Sequence, residues 1–226
     1  LAHLQGQPFN ASIIANNLGI DYRKVIAYTD LLVDLMLIRR LQPFHINIGK
    51  RLVKTPILYI RDSGLLHALL NIQDWDTLIS HPVVGASWEG FVIENLMSVA
   101  PDFAIPYFYR TATGVEMDFV LLMPDQTRIA VEIKRSPRPK LSKGFYISQA
   151  DIKPSHSYVL TPEERSFPID EKTTQIGLYG LMQKLSHQHQ WGVSWSNQVR
   201  DFSNAPQAAS NFLNVNPASR AGPNIN

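Results

Sequence analysis

Cysteine is absent from the 226 residues. That excludes disulfides, thiolate metal sites and cysteine nucleophiles, and it points to a cytoplasmic rather than a secreted setting. An excess of one charge is also missing: 21 Lys and Arg stand against 19 Asp and Glu, a formal net charge of +2. So small a balance does not mark a nucleic-acid binder, and any such function must rest on where the charges lie. No apolar run approaches the ~18–20 residues of a membrane span, and Asp30, Asp34 and Arg39 lie in or beside the longest stretches. The start, LAHLQGQPFN, lacks the basic and apolar regions of a signal peptide. It lacks an initiator Met too, and Leu1 falls inside what reads as a helix end, so the chain is expected to be part of a longer protein.

What is present is a foldable composition, 45% hydrophobic and 18% charged, large enough for one domain or two small ones. The spacing predicts two helices near the start. Asn10 caps a helix carrying Ile13, Ile14 and Leu18, Gly19 takes the left-handed position that ends it, and Asp21 caps the next. In that second helix Val25, Tyr28, Leu32 and Leu35 form the stripe expected to face a core, with Thr29 on another face. Leu37 to Leu41 and Ile57 to Ile60 read as strands joined by HINIGKRLVKTP. Helix, turn, helix and a basic hairpin make a winged-helix-like module over residues 1–62, with DNA as its candidate partner. Arg23 and Lys24 would approach base edges, and Lys50, Arg51 and Lys54 would sit on phosphates. The same shape also serves protein contacts.

Residues 63–186 alternate helical and strand patterns, an α/β (α+β) arrangement. GASWEGFVIENLMSVA reads as a helix, IPYFYR, VEMDFVLLM, RIAVEIKR and SYVLT as strands, and Tyr107, Phe108 and Tyr109 as strand core. From about His187 the chain turns polar and aperiodic, so 187–226 is expected to be disordered; this is a better account of His187 and His189 than a metal pair.

The strands carry the chemistry. Glu116 and Asp118 are two apart, as are Glu132 and Lys134, among apolar neighbours. Charges at period two inside core-like strands are costly unless they pair or bind a cation. If the two strands are adjacent, Asp118, Glu132 and Lys134 meet, and two carboxylates with a carbonyl suit Mg²⁺ or Mn²⁺ while the lysine positions or deprotonates water or offsets phosphate charge. Arg61 and Arg110 are candidate partners for the acids. The run KRSPRPKLSKG follows at once, and Arg135, Arg138 and Lys140 there could track a nucleic-acid backbone.

A helix bearing a Glu, a strand with an Asp, a turn, and a strand ending in Glu-x-Lys resembles the PD-(D/E)XK nuclease superfamily. The resemblance implies a mixed sheet flanked by helices, Asp118 and Glu132 as metal ligands, Lys134 as the catalytic lysine and Glu89 as an outer ligand, with Glu94 the less favoured helix acid. Met117 stands where the superfamily's proline would be. Over roughly Phe9 to Leu185 the order of segments is also similar to the C-terminal region, a domain of unknown function, of a prokaryotic AAA+ ATPase family. Gly49-Lys50 is followed by Arg51 and does not complete a phosphate-binding loop, so ATP would bind an ATPase half upstream of Leu1. The expected activity is metal-dependent DNA cleavage; the alternative is the same fold binding nucleic acid or protein without cutting.

Overall fold

A computed structural model describes residues 1–46 and 48–187; most of the polar tail, including His189, lies outside the described residues, as does the side chain of His187. Strand β1 (Gln7–Pro8) precedes α1 (Ala11–Leu18) and α2 (Tyr22–Asp34). The Asn10 side chain accepts the Ile13 N–H at 3.1 Å, and that of Asp21 accepts the Arg23 N–H at 2.8 Å. Gly19 ends α1 at φ 63°, where a side chain would be strained. These are the expected caps. The expected stripe is only partly correct: Val25 and Thr29 are buried, whereas Tyr28 and Leu35 are 59% and 58% exposed. A two-helix hairpin lying on one sheet edge can cover only a narrow strip of α2, and Thr29 enters that strip because its hydroxyl donates to the Val25 carbonyl at 2.8 Å.

Strands β2 (Ile38–Pro43) and β3 (Ile57–Ile60) pair antiparallel, Ile38 opposite Ile60. Three helices follow: α3 (Ser63–Leu69), α4 (Trp75–Ser80) and α5 (Val84–Val99). Strands β4 (Ile105–Arg110), β5 (Glu116–Leu122) and β6 (Arg128–Ile133) then form an antiparallel meander. Helix α6 (Lys143–Ile152) crosses over to β7 (His156–Thr161), which lies parallel to β6, as a helical crossover allows. Strands β8 (Phe167–Asp170) and β9 (Thr173–Gly177) and helix α7 (Leu178–His187) complete the described chain. The result is a mixed α/β unit.

One nine-stranded sheet runs through it in the order β1-β3-β2-β4-β5-β6-β7-β9-β8. The β2–β3 hairpin joins the rest because β2 pairs in parallel with β4, Gln42 opposite Tyr107. The connection between β2 and β3 is therefore not a free-standing wing. Phe44 lies in the core with Tyr109, Val120 and Phe145, and Ile46, Ile48 and Leu52 pack against it. Four apolar residues in one loop favour folding it back over projecting it into water.

Candidate active site

The β4–β5 ladder contains a bulge at the point where the chemistry collects. Tyr107 pairs with Val120 but Tyr109 with Met117, so two steps along β4 answer three along β5 and one residue of Asp118–Phe119 is extra. Such bulges re-aim a side chain and end regular pairing. On the other side β5 pairs with β6 from Leu122–Arg128 as far as Phe119–Val131. Beyond that point the Ile133 N–H donates to Asp118 Oδ2 at 2.8 Å. The Asp118 carboxylate is thereby fixed against the backbone between Glu132 and Lys134.

Glu132 is 5% exposed. The Lys134 ammonium donates to its Oε1 at 2.6 Å, while Oε2 is buried without a hydrogen-bond partner. The Lys134 N–H donates to the Leu160 carbonyl at 2.9 Å, which anchors the residue beside β7. Burial pushes the Asp118 carboxyl well above the usual range, and the Glu132 and Glu89 carboxylates push it further, against Lys134 and the Ile133 N–H. Glu132 is raised by burial, opposed by Lys134. For Lys134 burial acts downward, but Asp118, Glu132 and Glu116 outweigh it and lift the ammonium above its ordinary value. Asp118, Glu132 and Lys134 are thus brought within mutual electrostatic reach.

Glu89 approaches from α5. Its Oε1 accepts the Tyr59 hydroxyl at 2.7 Å, and burial raises its carboxyl while that hydrogen bond, Arg110 and Lys134 oppose the rise. Tyr59, on β3 and 1% exposed, was not singled out by the sequence, because an aromatic in an apolar strand reads as core. A possible signal was Gly90: a Cβ there would stand 3.2 Å from Tyr59 Cδ1 and 2.8 Å from Gln5 Nε2, so the helix keeps a glycine where the ring approaches. Arg110 completes the surroundings, donating to Glu116 Oε2 at 3.0 Å. No group of three or more His, Asp or Glu among the described residues is arranged to hold a metal ion. Asp118 and Glu132 suit a hard cation in that one Glu132 oxygen, Oε2, is buried without a hydrogen-bond partner.

Glu94, one turn and a half further along α5, is used differently. Arg39 donates to both of its oxygens and Arg61 to Oε2 at 2.7 Å.

The expected nucleic-acid residues divide into three groups. Arg23 and Lys24 are exposed at the start of α2. Arg135, Arg138 and Lys140 are exposed on the segment after Lys134. Lys50, Arg51 and Lys54 line a cavity of about 710 Å³, and Lys50 contacts both Asp151 oxygens at 2.6 Å. No helix among the described residues is long and apolar enough to cross a membrane.

Residues 1–76 match a family described as Domain of unknown function (DUF8612), and residues 84–181 match Domain of unknown function (DUF4143). Tyr59 lies in the first match and Glu89, Asp118, Glu132 and Lys134 in the second, so the Tyr59–Glu89 hydrogen bond links the two. The chain is similar to two uncharacterized proteins, from Mycobacterium bovis and Mycobacterium tuberculosis, each 35% identical over 176 residues. The alignments cover 78% of this chain and 40% of each relative, so the chain spans less than half the length of the curated relatives it matches. No solved structure matches it.

Proposed function

We propose that Asp118, Glu132 and Lys134, with Glu89 behind them, form a restriction-endonuclease-like site for metal-dependent cleavage of DNA phosphodiesters, in the C-terminal part of an AAA+ ATPase. The observation that carries this reading is the arrangement around Ile133: its N–H holds Asp118, while the flanking Glu132 and Lys134 pair and leave one buried carboxylate oxygen free. A bound Mg²⁺ or Mn²⁺ would polarise the phosphoryl group and lower the charge barrier to attack. The chain's own residues do the rest. Asp118 and Glu132 would hold the cation, Glu89 would orient water at its outer side, and the Lys134 ammonium would offset charge developing on the phosphate.

The test is cleavage of DNA by the full-length protein with Mg²⁺ or Mn²⁺, with and without ATP. Asp118→Asn and Lys134→Ala are each expected to lower the rate by at least ~100-fold, in line with the loss of one transition-state donor. Cleavage at the parental rate by both variants would remove the site.

One observation favours a second reading, a module that binds nucleic acid or docks a protein without cutting. Ile13, Leu18, Tyr22, Tyr28, Leu31 and Leu35 are all exposed on α1, α2 and the residue after α2. An apolar solvent face of that kind suits protein contact better than groove reading. Binding with no metal-dependent turnover would select this reading.

A further inference from the structure

We infer that the cavity beside the β4–β5 turn is a phosphate-binding subsite which holds the backbone of a nucleic-acid strand next to the carboxylate site; as a strand subsite it rests on the nuclease-like reading above. Its walls come from the β2–β3 connection and the β4–β5 turn, with His45, Lys50, Arg51, Leu52 and Lys54 from the first and Ala112 from the second. Among the described residues, no Asp or Glu occurs in the lining.

Three observations support the inference. The first is position. The Val53 N–H donates to the Arg110 carbonyl at 2.9 Å and the Ala112 N–H to the Arg51 carbonyl at 2.8 Å, around a bridge between Leu52 and Thr111. The Arg110 side chain bonds to Glu116 and acts electrostatically on Glu89. The stretch from Arg110 to Ala112 therefore borders the cavity and the acidic site alike. A strand lying across that turn would reach both.

The second observation is rigidity. Leu52, Ile46 and Ile48 pack against the core, so the segment bearing the cations is anchored. Fixed cations bind an anion without the ordering cost that a mobile loop incurs.

The third is charge. Lys50 is neutralised by Asp151, which also accepts the Tyr109 hydroxyl at 2.7 Å. Arg51 and Lys54 are exposed and form no ion pair with any described residue. Two cations without counter-charge in an anchored cavity attract an anion. The carboxylates of Glu89, Asp118 and Glu132 repel a phosphodiester, so a strand brought to them must be held from outside the acidic cluster. A volume of about 710 Å³ is the size that takes a drug-sized ligand rather than a lone ion.

Binding of a labelled DNA duplex and a labelled single strand to the full-length protein, followed by anisotropy over a range of NaCl concentrations, tests this. EDTA and an Asp118→Asn background keep cleavage and metal binding out of the measurement. The Arg51→Ala/Lys54→Ala variant is expected to bind at least ~10-fold more weakly at low salt. Its slope of log affinity against log salt should shrink by about two on the duplex, since each lost phosphate contact removes ~0.9. Lys50→Ala should weaken binding less than either single change, and millimolar inorganic phosphate should leave the DNA bound. Arg51→Gln/Lys54→Gln, which keeps the side-chain stem as far as Cδ and a polar end, should reproduce the loss with an unchanged melting temperature. Parental affinity and slope in both double variants, displacement of DNA by millimolar phosphate, or no binding of either DNA would overturn the inference. A protein that binds through Arg51 and Lys54 yet never cuts removes the nuclease reading and keeps the subsite. One that cuts independently of both removes only the subsite.

Discussion

Glu89 and Glu94 lie five positions apart on α5, and their surroundings are opposite. Glu94 is held by the guanidinium groups of Arg39 and Arg61, so its charge is more than balanced. Glu89 has a hydroxyl, from Tyr59, as its hydrogen-bond partner, and it lies within reach of Asp118, which is itself pushed up by Glu132. The first cluster ties β2 and the end of β3 to the helix. The second gathers three acids around Lys134, with Arg110 at its margin. Acids that stabilise a fold are paired, and a cluster left under-compensated suits a ligand that supplies the missing charge.

The comparison is sharpest if Glu94 and Asp118, one acid from each cluster, respond with opposite signs. Glu94→Ala leaves two part-buried guanidinium groups without their carboxylate and is expected to cost about 3 kcal/mol. That is a fall in melting temperature of roughly 6–12 °C for a unit of this size. A loss below about 1 kcal/mol in denaturant titration would show the cluster to be ornamental. Changes around Glu89 should cost less. Gly90→Ala forces a methyl group to within 3.2 Å of the Tyr59 ring and 2.8 Å of Gln5, an overpacking worth roughly 1–3 kcal/mol. Tyr59→Phe removes a single hydrogen bond, worth about 1–2 kcal/mol. If Tyr59→Phe proves neutral, Glu89 is held by packing and the hydroxyl is incidental.

Asp118→Asn should have the smallest effect on stability and the opposite sign. Because burial and the Glu132 carboxylate raise the Asp118 carboxyl, the folded state holds a proton that the unfolded chain releases. The stability tied to that proton is complete below the unfolded value, about pH 4, and is lost as pH rises through the raised one. At neutral pH without metal, a neutral amide that needs no such proton is therefore expected to add about 1 kcal/mol, or roughly 2–4 °C. The gain should fade on acidification towards pH 4. A variant less stable than the parent at pH 8 would mean that Lys134 already compensates the cluster.

Much of this was legible in the sequence, and the failures have definable causes. Asn10, Gly19 and Asp21 announced their helix ends because capping is decided within four residues. The strands at Ile105–Arg110, Glu116–Leu122 and Arg128–Ile133 were visible from β-branched and aromatic runs. Strand β1, two residues long, and the exposed edge strand β8 carry no such signal; nor did β9 stand out, although it is largely buried. The stripe on α2 was misread at Tyr28 and Leu35 because periodicity identifies an apolar face without saying whether anything covers it. Among the charged residues, Asp118, Glu132 and Lys134 stood out in or beside core-like strands. Tyr59 did not, since its role depends on a contact thirty residues away.

The sequence by itself therefore determined the elements and the charges they carry, because caps, turns and strand runs are short-range. Tertiary structure alone decided the rest. It placed the bulge at Asp118–Phe119, folded the β2–β3 connection against the core, and chose which glutamate of α5 meets arginines and which meets carboxylates. Each of these depends on strand register or on burial between segments distant in the chain, and neither is encoded in any local window.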